Sequence, residues 1–259
     1  MKKQVLLDII NKIAPFELAE EWDNCGMQVD LGKTEINKVY AALEISDDII
    51  DKAAECGADM IITHHPVLLP RFEYSTVSAA DPVGRWIIKL IEKKIEVCSI
   101  HTCYDAAPGG LNDQLPRLLG LTDVSVLPGN IARIGKLPKP VRLCELEKKV
   151  SEVLGHPAGA KSFGDQNRKV GTVAVCTGTG EDYWREVVAA GADVYLTGDL
   201  GHHEAGYLKD SGMCCISAGH AGTEWIFVPC FAYQLEMESV GRLEIVQCPD
   251  HQEPFERNI

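Results

Sequence analysis

The sequence predicts an α/β fold made of two related lobes. Short apolar runs of strand length alternate with longer amphipathic runs, the pattern of parallel strands covered by helices. The alternation occurs twice along the chain. A third observation ties the copies together: Gly57-Ala58-Asp59 leads into Thr63 at the same spacing as Gly191-Ala192-Asp193 leads into Thr197. Such an echo is the signature of a repeated unit.

In the first copy, 39–45 reads as a buried strand and 46–57 as a helix, with Ser46 as its N-cap and Gly57 as its stop. Residues 59–63 form the next strand, 84–94 a helix and 96–100 a third strand. In the second copy, 170–176 is a strand, 181–191 a helix ending at Gly191, and 193–197 and 213–217 are strands. Lys38-Val39 and Lys169-Val170 are expected to open the two copies. Between them, 106–168 is punctuated by Pro108, Gly109, Gly110, Pro116, Pro128, Gly129, Pro138 and Pro140 and reads as less regular. The expected division is therefore 1–125 and 126–259; the resemblance given below implies no inserted domain between them.

Composition bounds what these lobes do. The chain has 259 residues, 46% hydrophobic and 24% charged, as in an ordinary soluble protein. The first sixteen residues are basic and then apolar, but Asp8, Asn11 and Lys12 interrupt them at helical spacing. An amphipathic helix fits better than a signal peptide. A net charge of -13 argues against a general nucleic-acid surface. Ten cysteines occur without a CxxC pair, so a reduced, cytoplasmic protein is expected rather than a disulfide or zinc-ribbon framework.

In parallel α/β sheets, ligands bind beyond the carboxyl ends of strands, and metal-capable residues gather there. The strand at 59–63 runs into His64-His65-Pro66; that at 96–100 runs into His101 and Asp105. The strand at 213–217 precedes His220 and Glu224, and Thr197 precedes Asp199, His202, His203 and Glu204. Each cluster has a plainer reading: two loop histidines, an Asx-turn at Asp105, capping residues at Thr223 and Glu224. Together, imidazoles and carboxylates suit zinc, iron, manganese, cobalt or nickel. The Gly-rich run CTGTG at 176–180 lacks the Lys-Ser/Thr of a phosphate-binding loop and reads as a strand-to-helix turn.

Five motifs carry a resemblance: EEWDNCGMQVD at 20–30, ITHHPVL at 62–68, HTCYDAAPGGLND at 101–113, LTGDLGHHEA at 196–205 and AGHAGTEW at 218–225. In these the chain resembles the GTP cyclohydrolase 1 type 2 homolog family of dinuclear-metal-centre proteins over essentially its whole length. The resemblance implies two α/β lobes with the metals in the cleft between them, and a homohexamer. It implies His64, His65, Asp105, His220 and Glu224 as ligands of two divalent ions. The implied activity is metal-dependent hydrolysis: opening of the guanine ring of GTP at C8 with loss of formate. By type and position, His101 and His203 read as groups that move protons or support the ligands. The alternatives are a dinuclear phosphoesterase or nucleotide hydrolase, and a non-catalytic metal-binding or interaction protein. The chain departs from the family at Cys103-Tyr104 and Ala221. Cys103 reads either as an added soft ligand or as a buried bystander.

Overall fold

The computed structural model describes residues 1–69, 75–155 and 160–249. The chain begins with α1 (Lys3–Ile13), then β1 (Gly26–Val29), β2 (Lys38–Ala42), α2 (Asp47–Glu55), β3 (Met60–Thr63), α3 (Pro82–Lys93), β4 (Glu96–Ser99) and the short α4 (Thr102–Ala106). It continues with α5 (Leu111–Leu118), β5 (Thr122–Val126), β6 (Arg133–Arg142), α6 (Leu143–Leu154), β7 (Lys161–Phe163), β8 (Lys169–Thr179), α7 (Trp184–Ala189), β9 (Val194–Asp199), α8 (His202–Asp210), β10 (Cys214–Ser217) and the short α9 (His220–Glu224). The last elements are α10 (Phe227–Ser239) and β11 (Glu244–Gln247).

Local chemistry accounts for these boundaries. Ser46 caps α2 by accepting the Ile49 N–H at 3.2 Å, and Asp47 and Asp48 sit at the positive end of the helix dipole. Asp81 caps α3 by accepting from Gly84 N at 2.9 Å, with Pro82 opening the helix. One face of α2 buries Ile49, Ile50 and Ala53, and all four residues of β3 are buried. Removing each large aliphatic side chain from water stabilises the fold by roughly 1.5–3 kcal/mol.

The chain divides into two units, after Gly110 and again at Phe227. Unit 1 holds α1 to α4 together with α10 and β11; unit 2 holds α5 to α9. The division expected near residue 125 lies too late, and the second segment does not run unbroken to the end. The reason is in the pairing. β11 joins β2 in parallel, with Glu244 opposite Lys38, and α10 buries Phe227, Phe231 and Leu235. Gln234 on α10 accepts from the Tyr104 hydroxyl at 2.7 Å and donates to the Gly109 carbonyl at 2.8 Å.

Unit 1 has a five-stranded sheet in the order β1-β4-β3-β2-β11; unit 2 has a six-stranded sheet in the order β5-β6-β8-β9-β10-β7. The repeat shows in both. Three parallel strands, β2-β3-β4 and β8-β9-β10, form the centre of each sheet. An antiparallel strand closes the same edge, β1 on β4 and β7 on β10.

The Gly-Ala-Asp joints do identical work. Gly57 and Gly191 take φ of +74° and +72°, the left-handed conformation that ends a helix without steric cost. Asp59 Oδ2 then accepts from Asn37 N at 2.8 Å and Lys38 N at 3.2 Å. Asp193 Oδ2 accepts from Gly171 N at 2.8 Å and Thr172 N at 2.9 Å. Lys38 and Lys169 open β2 and β8 as the sequence suggested; against the joint, Thr172 takes the place of Lys38, because β8 starts earlier relative to its joint than β2 does.

The stretch 106–168 is also more regular than expected, with α5, β5, β6, α6 and β7 in it. Proline does not abolish β6. Its pairing with β8 shifts register between Lys136 and Val141, where Pro138 and Pro140 supply no N–H to a ladder.

Candidate metal centre

In unit 1 the donors stand just past β3 and β4. Thr63 Oγ1 donates to the His65 carbonyl at 2.8 Å and shares a 2.9 Å hydrogen bond with Ser99 Oγ. His65 N donates to the Leu43 carbonyl at 2.9 Å. These bonds bend the chain at the end of β3. His64 is fully buried, between the rings of His65, His101 and Phe227 at centroid distances of 5.2, 5.1 and 5.2 Å. Its Nδ1 lies 3.1 Å from the Ile100 carbonyl, which can only accept, so Nδ1 carries the proton and Nε2 the lone pair. That Nε2 is 3.7 Å from Asp105 Oδ1. Asp105 reaches it from α4, one turn past His101. His65 Nδ1 lies 3.4 Å from Glu44 Oε2.

His101 is held from below by Asp23. Its Nδ1 is 3.0 Å from Asp23 Oδ1. Asp23 Oδ2 also accepts from Thr102 N at 3.0 Å, Thr102 Oγ1 at 2.6 Å and Cys25 Sγ at 3.1 Å. Burial works against the charge on Asp23, but the bonds from His101, Thr102 and Cys25 outweigh it and hold the carboxyl well below the usual range. One ring nitrogen from each of His64, His65 and His101 lies within 4.8 Å of the others, a group able to hold a metal ion. Cys103 is fully buried. Its bond to the Cys25 thiol, with burial, pushes its own thiol strongly upward.

In unit 2 the equivalent short helix follows β10. Gly219, at φ +83°, precedes α9, as His101 precedes α4 in unit 1. His220 and Glu224, four residues apart, share one face of α9, with His220 Nε2 at 3.2 Å from Glu224 Oε2. On its other side His220 Nδ1 meets Asp199 Oδ2 at 2.8 Å. Burial opposes the imidazolium here, but Glu224 and Asp199 together raise the His220 pKa to about 11. Glu224 does not cap the helix; its side chain is almost wholly buried. Thr223 Oγ1 accepts from Gly178 N at 2.9 Å and so ties α9 to the end of β8.

Of the seven residues singled out in the sequence, His64, His65, His101 and Asp105 come together in unit 1, and His220 and Glu224 in unit 2. His203 does not join either group. It is exposed on α8, its ring edge-on to His202 at 5.5 Å. Sequence reading did not assign the partners that orient the donors: Asp23 for His101, Asp199 for His220, and Gly178 beneath Glu224. Asp23 is 78 residues from His101, a separation that leaves no local pattern to read.

Nitrogen and oxygen donors without thiolate fit zinc, iron, manganese, cobalt or nickel, and imidazoles tied through Nδ1 to carbonyl or carboxylate are the outer-shell arrangement of metal sites. Fold and donors together define a two-unit α/β protein with metal-capable histidine and carboxylate groups at its strand ends. The family model Duf34/NIF3 (NGG1p interacting factor 3) matches residues 1–254, and the chain belongs to that family. A "GTP cyclohydrolase 1 type 2 homolog" of Clostridium perfringens is 30% identical, covering 99% of both chains. One of Methanocaldococcus jannaschii is 34% identical over 86% of this chain and 90% of its own. Among solved structures, a Bacillus cereus protein related to NIF3 superposes with a TM-score of 0.92 at 20% identity over 99% of both chains. Reduced HcgD from M. jannaschii does so at 0.80 with 30% identity, covering 96% of this chain and 98% of that one. No helix among the described residues is long and apolar enough to cross a membrane.

Proposed function

We propose that this chain is a metal-dependent hydrolase that holds two divalent ions on His64, His65, Asp105, His220 and Glu224. The observation that carries the reading is the repeat of one device. In each unit, the end of the parallel strands and the short helix after the third strand bring imidazole and carboxylate together. Bound divalent ions lower the pKa of water and supply hydroxide at neutral pH. The residues do the rest: Ile100 and Asp199 set the orientation of His64 and His220, and Asp105 and Glu224 supply negative charge.

The names of relatives, among them GTP cyclohydrolase 1 type 2 homologs, support one substrate class. We take it to be a guanine nucleotide opened at C8 with release of formate. The same resemblance supports a homohexamer, and ten free cysteines support a cytoplasmic setting.

The test is direct. Purified chain loaded with Zn²⁺, Fe²⁺, Mn²⁺, Co²⁺ or Ni²⁺ is incubated with GTP, and formate and ring-opened product are followed. Formate release that depends on metal and is lost in Glu224→Ala supports the reading. Turnover of generic phosphoesters without formate replaces it with a phosphoesterase. Two retained ions with no turnover replace it with a metal-binding role.

A further inference from the structure

We propose that His101 is a sixth metal donor of this chain, contributed by unit 1, and that Asp23 is the carboxylate that sets it in place. The assignment rests on reading the chain as a divalent-metal protein, and adds a residue to the five-ligand set.

His101 has one nitrogen committed. Nδ1 faces Asp23 Oδ1 at 3.0 Å, and a carboxylate at neutral pH only accepts. The proton on that side therefore belongs to Nδ1, which leaves Nε2 as the nitrogen that can meet a metal ion. His64 is in the same state, with Nδ1 on the Ile100 carbonyl at 3.1 Å. The ligand nitrogens of His64, His65 and His101 lie within 4.8 Å of one another. The His101 ring stands T-shaped to its neighbours, at 73° to His64 and 80° to His65, so the rings do not stack.

The support beneath His101 is rigid in the manner of a metal site. Asp23 has no exposed side-chain surface and is itself fixed by Thr102 N, Thr102 Oγ1 and Cys25 Sγ. Trp22 lies edge-on to the His101 ring at 5.8 Å and 77°, which limits its rotation. Ligating imidazoles characteristically give their other N–H to a carboxylate, and loss of that partner costs about 10–100-fold in metal affinity.

The experiment uses the full chain, stripped of metal with a chelator and titrated with Co²⁺ or Zn²⁺ at neutral pH. With ¹⁵N-histidine labelling of the unaltered sequence, the His101 Nε2 resonance is expected to move to the coordinated range on adding Zn²⁺, alongside His64 and His65. Asp23→Asn is expected to weaken Co²⁺ binding about 10–100-fold, and His101→Ala more than that, with a changed visible spectrum. Glu224→Ala is expected to lose metal held by unit 2 while binding in unit 1 stays sensitive to His101. Two ions bound in the wild type, with His101 Nε2 unmoved and His101→Ala titrating like wild type, would overturn this inference and leave the proposed function standing. A wild type that binds no divalent ion would overturn both. The labelling measurement does not depend on any variant folding.

Discussion

Gly178 packs directly beneath the Glu224 carboxylate. A Cβ at residue 178 would stand 3.0 Å from Glu224 Cδ, closer still to Oε1, and 3.4 Å from His220 Nε2, and the backbone there has φ +62°. Both the space and the conformation call for glycine. Gly178→Ala is therefore expected to push Glu224 aside and lower metal content toward one ion per chain or none. Metal analysis of the purified variant checks this; two ions retained would show that Glu224 has room to give.

Asp199 is expected to act on metal binding through His220. It accepts from His220 Nδ1 at 2.8 Å and sets which nitrogen is left for a ligand. Asp199→Asn should weaken divalent-ion binding about 10–100-fold with little loss of folding stability, since Asp199 is more than half exposed. Isothermal titration with Zn²⁺ measures it, and an unchanged affinity would assign the Asp199 contact to apo geometry alone.

Asp59 and Asp193 should prove interchangeable in their effect on stability. Each accepts two backbone N–H groups at the start of a neighbouring strand. Replacing either with alanine strands those donors and is expected to cost about 1–3 kcal/mol. Urea unfolding of Asp59→Ala and Asp193→Ala compares them. A loss in one and none in the other would break the equivalence of the two joints.

Acid should unfold the chain partly through Asp23. Its folded pKa is depressed, so its contribution is fully present above the unfolded value near ~3.9. The contribution is lost as pH falls through the folded value. The stability gap between wild type and Asp23→Asn, about 1–3 kcal/mol at neutral pH, is therefore expected to narrow below about pH 4. Urea midpoints taken from pH 6 down to pH 3 read it; a constant gap would mean that the carboxylate charge contributes nothing.

Much of the architecture was legible in the linear pattern. The parallel strands β2, β3, β4, β8, β9 and β10 are short apolar runs separated by helices, with side-chain caps on those of unit 1, and hydrophobic period and turn chemistry act over a few residues. The helical spacing of His220 and Glu224 was legible for the same reason. The return of α10 and β11 to unit 1 was not. Their apolar residues would suit either sheet, and only the open edge of β2 decides which one they join. Nor was strand β6 foreseen, because Pro138 and Pro140 discourage a strand everywhere except at a register shift, and a register shift exists only once a partner strand is in place.

The sequence by itself determined the repeated α/β units and the donors at their strand ends, since periodicity, capping and strand-end position are properties of neighbours in the chain. Tertiary structure alone decided which donors are oriented and by what. Asp23 meets His101 across 78 residues, Gly178 meets Glu224 across the end of a strand, and Asp199 meets His220 from a different strand. Hydrogen-bond geometry of that kind is set by where the sheets carry each backbone, and no local pattern encodes it.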